Sequence, residues 1–156
     1  MSRSVPLLKL ELQSNPEMLC VVRHAVGQLA EMLGFSGAEC HEVVLAVDEA
    51  LTNIIRHAYR GEQGRPIRAM FRRIEVPLDG RQRRALEIVL EDQGVKVDGA
   101  KLCGRPLEEV RPGGLGLHFI KQSMDTVEFR RKFAKNQLRL IKLLDAPTPE
   151  KGPGEK

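Results

Sequence analysis

The segment Asp48–Tyr59, with the sequence DEALTNIIRHAY, decides the fold because it places a line of polar groups on an otherwise apolar helix. Ser36 and Glu39 upstream have the spacing of a capping box, in which each side chain binds the other residue's free backbone N–H. Apolar residues then recur at helical spacing, at Val43, Val47, Ala50, Ile54 and Ala58. We predict one long helix from this box to about Tyr59, ended by Gly61 and Gly64.

Three polar side chains of this helix, Glu49, Asn53 and His57, are four residues apart and therefore share one face. Glu42 lies one heptad before Glu49, near the same line. A carboxylate and an amide one turn apart can share magnesium, which prefers oxygen ligands and takes others from water and phosphate. A carboxylate can also deprotonate an incoming hydroxyl. A solvated helix face explains the same spacing, and His57 is interpreted as structural.

A second feature is Asp92 followed by Gly94, at the end of the apolar strand predicted over Ala85–Glu91. In α/β folds, ligands bind beyond the carboxyl ends of strands. An aspartate there can accept a hydrogen bond from an exocyclic amine such as that of adenine. A turn that starts at an aspartate before a glycine is the alternative interpretation.

A third feature is the segment RPGGLGL, residues 111–117, which runs into a helix predicted over 116–124. Glycines at 113, 114 and 116 let the backbone approach phosphate oxygens, and a helix N-terminus offers free N–H groups and a positive dipole end. Arg111 could add a charge-assisted contact to a phosphate. No Gly-Lys-Ser/Thr follows, so this is not a Walker loop. A flexible hinge is the alternative.

The predicted elements come in the order strand, two helices, two strands, a long loop over 92–114, a short helix and a final hairpin. This order predicts an α/β (α+β) two-layer sandwich, with helices on one face of a mixed, mostly antiparallel sheet. Asn15 is expected to cap the first helix, and Lys135-Asn136 to form the turn of the last hairpin. We expect one domain over residues 1–145 and a disordered tail over 146–156.

The composition, 42% hydrophobic and 29% charged residues, is typical of a globular protein. No apolar run approaches the ~20 residues of a membrane helix, so we expect a cytoplasmic protein without membrane contact. The net charge is +4, but one Tyr and no Trp leave little for base stacking, so no direct nucleic-acid binding is expected. Cys20, Cys40 and Cys103 form no metal or disulfide pattern, and the first two are expected in the core.

The three features occur in a fixed order that resembles a known superfamily. Glu49-x-x-x-Asn53-x-x-x-His57, Asp92-x-Gly94 and Gly113-Gly-Leu-Gly-Leu117 are similar to the N, G1 and G2 boxes of the ATPases that include gyrase, histidine kinases and the mismatch-repair protein MutL. Residues 48–59 and 113–125 look most like the bacterial anti-sigma factor serine/threonine kinases. The resemblance covers roughly residues 5–144 and implies a histidine-kinase-like ATPase fold.

The resemblance implies roles for individual residues, with ATP and magnesium as ligands. Glu49 would be the general base and Asn53 the magnesium ligand. Asp92 would bind the adenine, and Gly94 would leave room for it. Phosphate contacts are implied for the second glycine box, Gly113, Gly114, Leu115, Gly116 and Leu117. Beside the resemblance, Arg111 is a candidate for a phosphate contact, and Lys96 could either reshape the site or contact a phosphate.

The implied reaction transfers the γ-phosphoryl group of ATP to a serine or threonine of an anti-anti-sigma partner of the STAS type. The same protein would sequester a sigma factor and form a homodimer. The sequence departs from the usual Asp-x-Gly-x-Gly box at Lys96, which replaces the second glycine. One alternative is therefore an ATP-sensing binding protein without kinase activity. A two-component histidine kinase module is disfavoured because no phosphoacceptor helical hairpin precedes the domain.

Overall fold

Five strands and three α-helices form the described part of the chain, residues 5–96 and 115–144 of a computed structural model. A π-helical turn over Ile54–Ala58 follows the second helix directly. In chain order the elements are β1 (Leu8–Gln13), α1 (Met18–Leu33), α2 (Gly37–Asn53), β2 (Pro66–Leu78), β3 (Arg81–Asp92), α3 (Leu115–Ser123), β4 (Thr126–Lys132) and β5 (Lys135–Leu143).

The strands form one sheet in the order β1-β2-β3-β5-β4, and the helices cover one of its faces. Alternate residues of the central strands point into a shared core with the apolar stripes of α1 and α2: Ile67, Ala69, Phe71, Leu86, Ile88, Leu90, Val22, Val26, Val43 and Val47. This two-layer α+β sandwich confirms the predicted fold class. The four neighbouring strand pairs of the described sheet are all antiparallel, so it contains no mixed pairing.

The helix ends show where local sequence signals decide the structure. The capping box is confirmed, since Glu39 N donates to Ser36 Oγ at 3.2 Å and Ser36 N donates to Glu39 Oε2 at 2.7 Å. Gly34, with φ 98°, ends α1 in the left-handed conformation, as glycine does at many helix ends. Asn15 caps the helical turn that leads into α1, and the regular helix starts later than predicted. Its Oδ1 accepts from Glu17 N at 3.1 Å in a preceding turn, and the helix begins at Met18.

The predicted single helix to Tyr59 changes its geometry after Asn53. Tyr59 N donates to Ile54 O at 2.9 Å, five residues back, so the last turn is wider than an α-helical turn. The buried Tyr59 hydroxyl donates to Pro66 O and accepts from Gln93 N at 2.8 Å. These bonds join the helix end to the start of β2 and the end of β3, which positions the wider turn beside the sheet.

The last hairpin turns two residues earlier than predicted. Phe133 and Ala134 form the turn with φ of 51° and 59°, the positive values that a type I′ hairpin turn requires at both positions. Lys135 and Asn136 therefore belong to β5, and Asn136 is 1% exposed on the core face. The expected turn residue is instead a buried polar residue at the end of the central strands.

Three arginines on the outer face of the sheet are paired with carboxylates. Glu87, 8% exposed, accepts from Arg72 Nη1 at 3.2 Å and from Arg139 Nε at 2.6 Å. Arg68 Nε lies 3.2 Å from Glu11 Oε1. These three arginines therefore face carboxylates on this side of the sheet.

Candidate functional site

The helix α2 carries two adjacent acids, and the structure separates their roles. Asp48 Oδ1 accepts from Arg23 Nη1 at 2.9 Å, which ties α2 to α1. Glu49 is half-buried on the side of α2 that faces α3. Asp48 is therefore part of the helix packing, and Glu49 is the acid that lies at the candidate site.

Glu49 contacts the start of α3 at Gly116, so the first and third sequence features meet. A Cβ built on Gly116 would overlap Glu49 Oε2 and lie 3.2 Å from Glu49 Cδ. A larger residue at position 116 would displace the Glu49 carboxylate from this place. The N-terminal turn of a helix carries the positive end of the helix dipole, which favours a negative group beside it. Leu117, the next residue of α3, is 9% exposed in the core cluster.

The second feature, Asp92, is a buried carboxylate that accepts two hydrogen bonds from within the protein. Asp92 is 5% exposed, and its Oδ1 accepts from Gly94 N and from Asn136 Nδ2, each at 2.8 Å. Burial raises the pKa of Asp92 above its ordinary value, because desolvation disfavours the charged form. The hydrogen bonds from Asn136 and Gly94 and the charge of Arg131 oppose that rise in pKa.

Gly94 lies against the end of the π-helical turn. A Cβ on Gly94 would overlap the Ala58 carbonyl and lie 2.7 Å from Ala58 Cβ. The next residue, Val95, donates its N–H to Ala58 O at 2.9 Å. The segment after β3 is thus held on the same helix that carries Glu49 and Asn53, and Gly94 has a packing reason in addition to any role beside a ligand.

The remaining predicted site residues lie in different surroundings. Asn53 is the last residue of α2 and is half-buried, whereas His57 and Lys96 are exposed. Leu115 begins α3. Arg111, Gly113 and Gly114 lie outside the described residues, as do Cys103 and the tail over 146–156. Cys20 is exposed on α1, so its predicted core position is wrong, while Cys40 packs against the core.

Within residues 5–96 and 115–144, no cluster of three or more His, Cys, Asp or Glu side chains could hold a metal. A magnesium ion bound with a nucleotide needs few protein ligands, because waters and phosphates supply most of the oxygens. The amide oxygen of Asn53, one turn after Glu49, fits that requirement. Among the described residues, Asn53 is thus the side chain that would supply an oxygen to a magnesium ion held mainly by nucleotide and water.

Sequence reasoning missed three residues that build the site: Tyr59, Arg131 and Asn136. Asn136 Nδ2 donates to Asp92 Oδ1 and to Val95 O at 2.9 Å, and its Oδ1 accepts from Arg131 Nη1 at 2.7 Å. One signal could have found it, since Asn136 alternates with Leu138 and Leu140 on an apolar strand face. A polar residue on such a face needs buried partners.

The described site brings together a helix with an acid and an amide one turn apart, a buried aspartate at a strand end and a glycine at a helix start. The family model described as "Histidine kinase-like ATPase domain" matches residues 12–142. The chain belongs to this family.

Curated relatives share 27–28% identity with the chain. The Bacillus pumilus protein named Serine-protein kinase RsbW is 27% identical over 136 residues, 82% of this chain and 80% of that protein. The Oceanobacillus iheyensis protein of the same name is 28% identical over 134 residues, 81% of this chain and 80% of that protein. These relatives agree with the expected class of serine/threonine protein kinase and with the resemblance to its bacterial serine-kinase branch.

Two solved structures share the fold. A SiaB–SiaC complex from Pseudomonas aeruginosa has a chain with TM-score 0.57 and 15% identity, covering 91% of this chain and 92% of that chain. The RsbU and RsbW domains of Rv1364c from Mycobacterium tuberculosis give a TM-score of 0.56 and 14% identity. That match covers 89% of this chain, which spans 33% of the larger one. Among the described helices, none has the length and apolarity needed to cross a membrane.

Because its pKa is raised, Asp92 is expected to make folding stability and ATP affinity depend on pH in opposite directions. The folded chain binds this proton more tightly than the unfolded chain does. Asp92 therefore contributes stability that is fully present below its unfolded pKa of ~3.9 and is lost as pH rises through the folded pKa. The resemblance implies that Asp92 accepts from the adenine amine, and an ionised carboxylate is the stronger acceptor, so ATP affinity is expected to rise over the same pH range.

Asp92→Asn keeps the shape but removes this titration. We expect the stability of the wild type relative to Asp92→Asn to fall as pH rises through that range, measured by urea unfolding at a series of pH values. We expect the ATP affinity of Asp92→Asn to be lower than that of the wild type at neutral pH and to lose its acid dependence. A wild type and variant with parallel stability and affinity profiles would contradict both expectations.

Proposed function

We propose that this protein is an ATP-dependent serine/threonine kinase of a partner-switching pathway. It would phosphorylate an anti-anti-sigma protein of the STAS type and would also sequester a sigma factor. The observation that carries the proposal is the contact of Glu49 with Gly116, because it brings the candidate base to the helix start proposed to hold phosphate. The kinase relatives supply the class of reaction.

Nucleotide binding would use both ends of the site. The ionised Asp92 would accept a hydrogen bond from the exocyclic amine of adenine, and Gly94 would keep the backbone close to the base. At the other end, the backbone of Gly113, Gly114, Leu115, Gly116 and Leu117 would donate to phosphate oxygens, with Arg111 and Lys96 adding positive charge.

In the proposed reaction, the partner's hydroxyl oxygen forms a bond to the γ-phosphorus of ATP. The bond from that phosphorus to the β,γ-bridging oxygen breaks, and ADP leaves. Glu49 accepts the proton of the hydroxyl. Magnesium would neutralise charge on the phosphates, and Asn53 would be its protein ligand. The chain's main contribution is to position these groups, since phosphoryl transfer requires little covalent chemistry from the protein.

The protein partners belong to the same proposal. The SiaB–SiaC structure contains a protein of this fold in a complex, and the resemblance to anti-sigma kinases implies a sigma factor and an anti-anti-sigma protein for this chain. We also propose a cytoplasmic homodimer in which residues 1–145 form one ATP-binding domain. Neither nucleic acid nor membrane is part of the proposed function.

The deciding experiment incubates the protein with γ-labelled ATP and a STAS-type protein encoded near its gene. We expect label on a serine or threonine of that partner, located by mass spectrometry. Pull-down with the sigma factors of the same organism tests sequestration separately. Tight ATP binding without transfer to any such partner would overturn the kinase assignment and favour the ATP-sensing alternative that Lys96 suggests.

Asn53→Ala tests the magnesium role. We expect ATP affinity measured with magnesium to fall roughly tenfold, about 1.4 kcal/mol, because the variant loses a ligand oxygen. Affinity measured in the presence of EDTA is expected to change little. Thr52→Val is a matched control one residue away, since the Thr52 hydroxyl donates within the helix to Asp48 O at 2.8 Å. A drop of equal size with and without magnesium would rule out the ligand role.

A further inference from the structure

We propose that Asn136, held by Arg131, is a positioning residue that orients the Asp92 carboxylate for the base of the nucleotide. The inference rests on the proposed function, because it concerns how Asp92 distinguishes an amino-purine from a purine without the amine. Its basis is a chain of hydrogen bonds that leads from the β4–β5 hairpin into the end of β3.

The buried Asn136 amide forms hydrogen bonds with both of its N–H groups and with its oxygen. It is 1% exposed, and its Nδ2 donates to Asp92 Oδ1 at 2.8 Å and to Val95 O at 2.9 Å. Its Oδ1 accepts from Arg131 Nη1 at 2.7 Å. A carbonyl and a carboxylate can only accept, and a guanidinium can only donate, so the amide has one satisfactory orientation.

This fixed orientation determines which oxygen of Asp92 is used. Asn136 Nδ2 and Gly94 N both donate to Oδ1, so Oδ1 is held as an acceptor. The carboxylate cannot rotate freely without losing two hydrogen bonds, and a proton taken up by the group would go to Oδ2. The orientation of the carboxylate is therefore fixed before a nucleotide binds, which reduces the conformational entropy lost on binding.

Arg131 also contacts the segment that follows β3. Its Nη1 also donates to Gly94 O at 3.2 Å, so one guanidinium nitrogen contacts both Asn136 and the glycine. The charge of Arg131 favours the ionised form of Asp92, the form that accepts from an amine. Register places Arg131 directly opposite Asn136 on the neighbouring strand, so the hairpin itself holds this pair together.

The test compares two nucleotides that differ only in the 6-amino group: ATP and purine riboside triphosphate. For each protein the affinities are measured by calorimetry, and their ratio is the readout. The wild type is expected to prefer ATP. Asn136→Ala is expected to reduce that preference roughly tenfold, because hydrogen bonds to a charged group are among the stronger ones. Its affinity for purine riboside triphosphate should change little.

The exposed Arg131 provides a second variant that does not depend on a core substitution. Arg131→Met is expected to reduce the ratio in the same direction by a smaller factor. Gln137→Ala is the matched control, since Gln137 neighbours Asn136 but its Nε2 bonds to Glu91 Oε1 at 3.3 Å. Its side chain lies on the opposite face of β5, so the ratio should equal that of the wild type.

The outcomes separate the inference from the function on which it rests. A wild type that binds both nucleotides equally would overturn the base-reading role of Asp92 and the inference with it. A wild type that prefers ATP, with both variants retaining the full preference, would overturn only the positioning role. Variants that weaken both nucleotides by the same factor would also overturn it, because a purely structural loss leaves the ratio unchanged.

Discussion

Glu49→Gln is expected to slow phosphotransfer between about 100-fold and 10,000-fold, the range that general base catalysis contributes in enzymes. Glutamine keeps the size of the side chain beside Gly116 but cannot accept the proton of the attacking hydroxyl. Because the substitution leaves Asp92 and its donors unchanged, the affinity for ATP is expected to stay within about twofold. The measurement is single-turnover transfer of label to the partner, combined with calorimetry for ATP.

Asp48→Asn is the control for this experiment, because it removes a neighbouring carboxylate that faces Arg23 instead of α3. We expect near wild-type transfer, with at most a small loss of stability from an exposed or half-exposed ion pair. If Glu49→Gln transferred phosphate at the wild-type rate, the general-base assignment would be lost. If both variants were equally slow, a general electrostatic effect of α2 would replace the specific one.

Gly94→Ala is expected to lower the free energy of unfolding by about 1–3 kcal/mol, the usual result of adding a group to a filled space. The new Cβ would meet the carbonyl carbon, the carbonyl oxygen and the Cβ of Ala58. Backbone atoms cannot rotate away as a long side chain can, so the Asp92–Val95 segment or the π-helical turn must move. We therefore also expect weaker ATP binding, since that movement displaces Asp92.

Urea unfolding followed by circular dichroism measures this change. Gly37→Ala is the matched control, because a Cβ at Gly37 meets nothing within 4 Å and alanine favours the first turn of α2. That control is expected to be neutral or to stabilise the protein by up to ~1 kcal/mol. Equal stability of Gly94→Ala and the wild type would show that the segment after β3 does not pack on Ala58 as described.

Much of the fold could be predicted because its signals are local. The capping box at Ser36 and Glu39 needs only four consecutive residues. Gly34 ends α1 because glycine, without a Cβ, adopts a positive φ at no steric cost. Alternation in Leu86, Ile88 and Leu90 likewise predicts one buried strand face. The π-helical turn could not be predicted, because Tyr59 forms it while bonded to Pro66, at the start of β2, and to Gln93, just after the end of β3.

For the candidate site too, the sequence predicted some features and not others. The order of Glu49, Asn53, Asp92 and Gly116 along the chain was enough to predict an ATPase family, and the family match confirms it. The roles of these residues remain predictions. Their partners could not be predicted, because Asn136 reaches Asp92 from 44 residues away. The turn at Phe133 and Ala134, which places Asn136 on the core face, lacks the usual Asn-Gly signal.

The sequence by itself determined the elements, the apolar faces and the set of chemical groups, since periodicity and capping act over a few residues. Only the tertiary structure decided that Glu49 lies on Gly116, that Gly94 lies on Ala58, and that Asn136 bonds to both Asp92 and Arg131. The physical reason is that these contacts depend on sheet register and helix packing, which bring distant residues together.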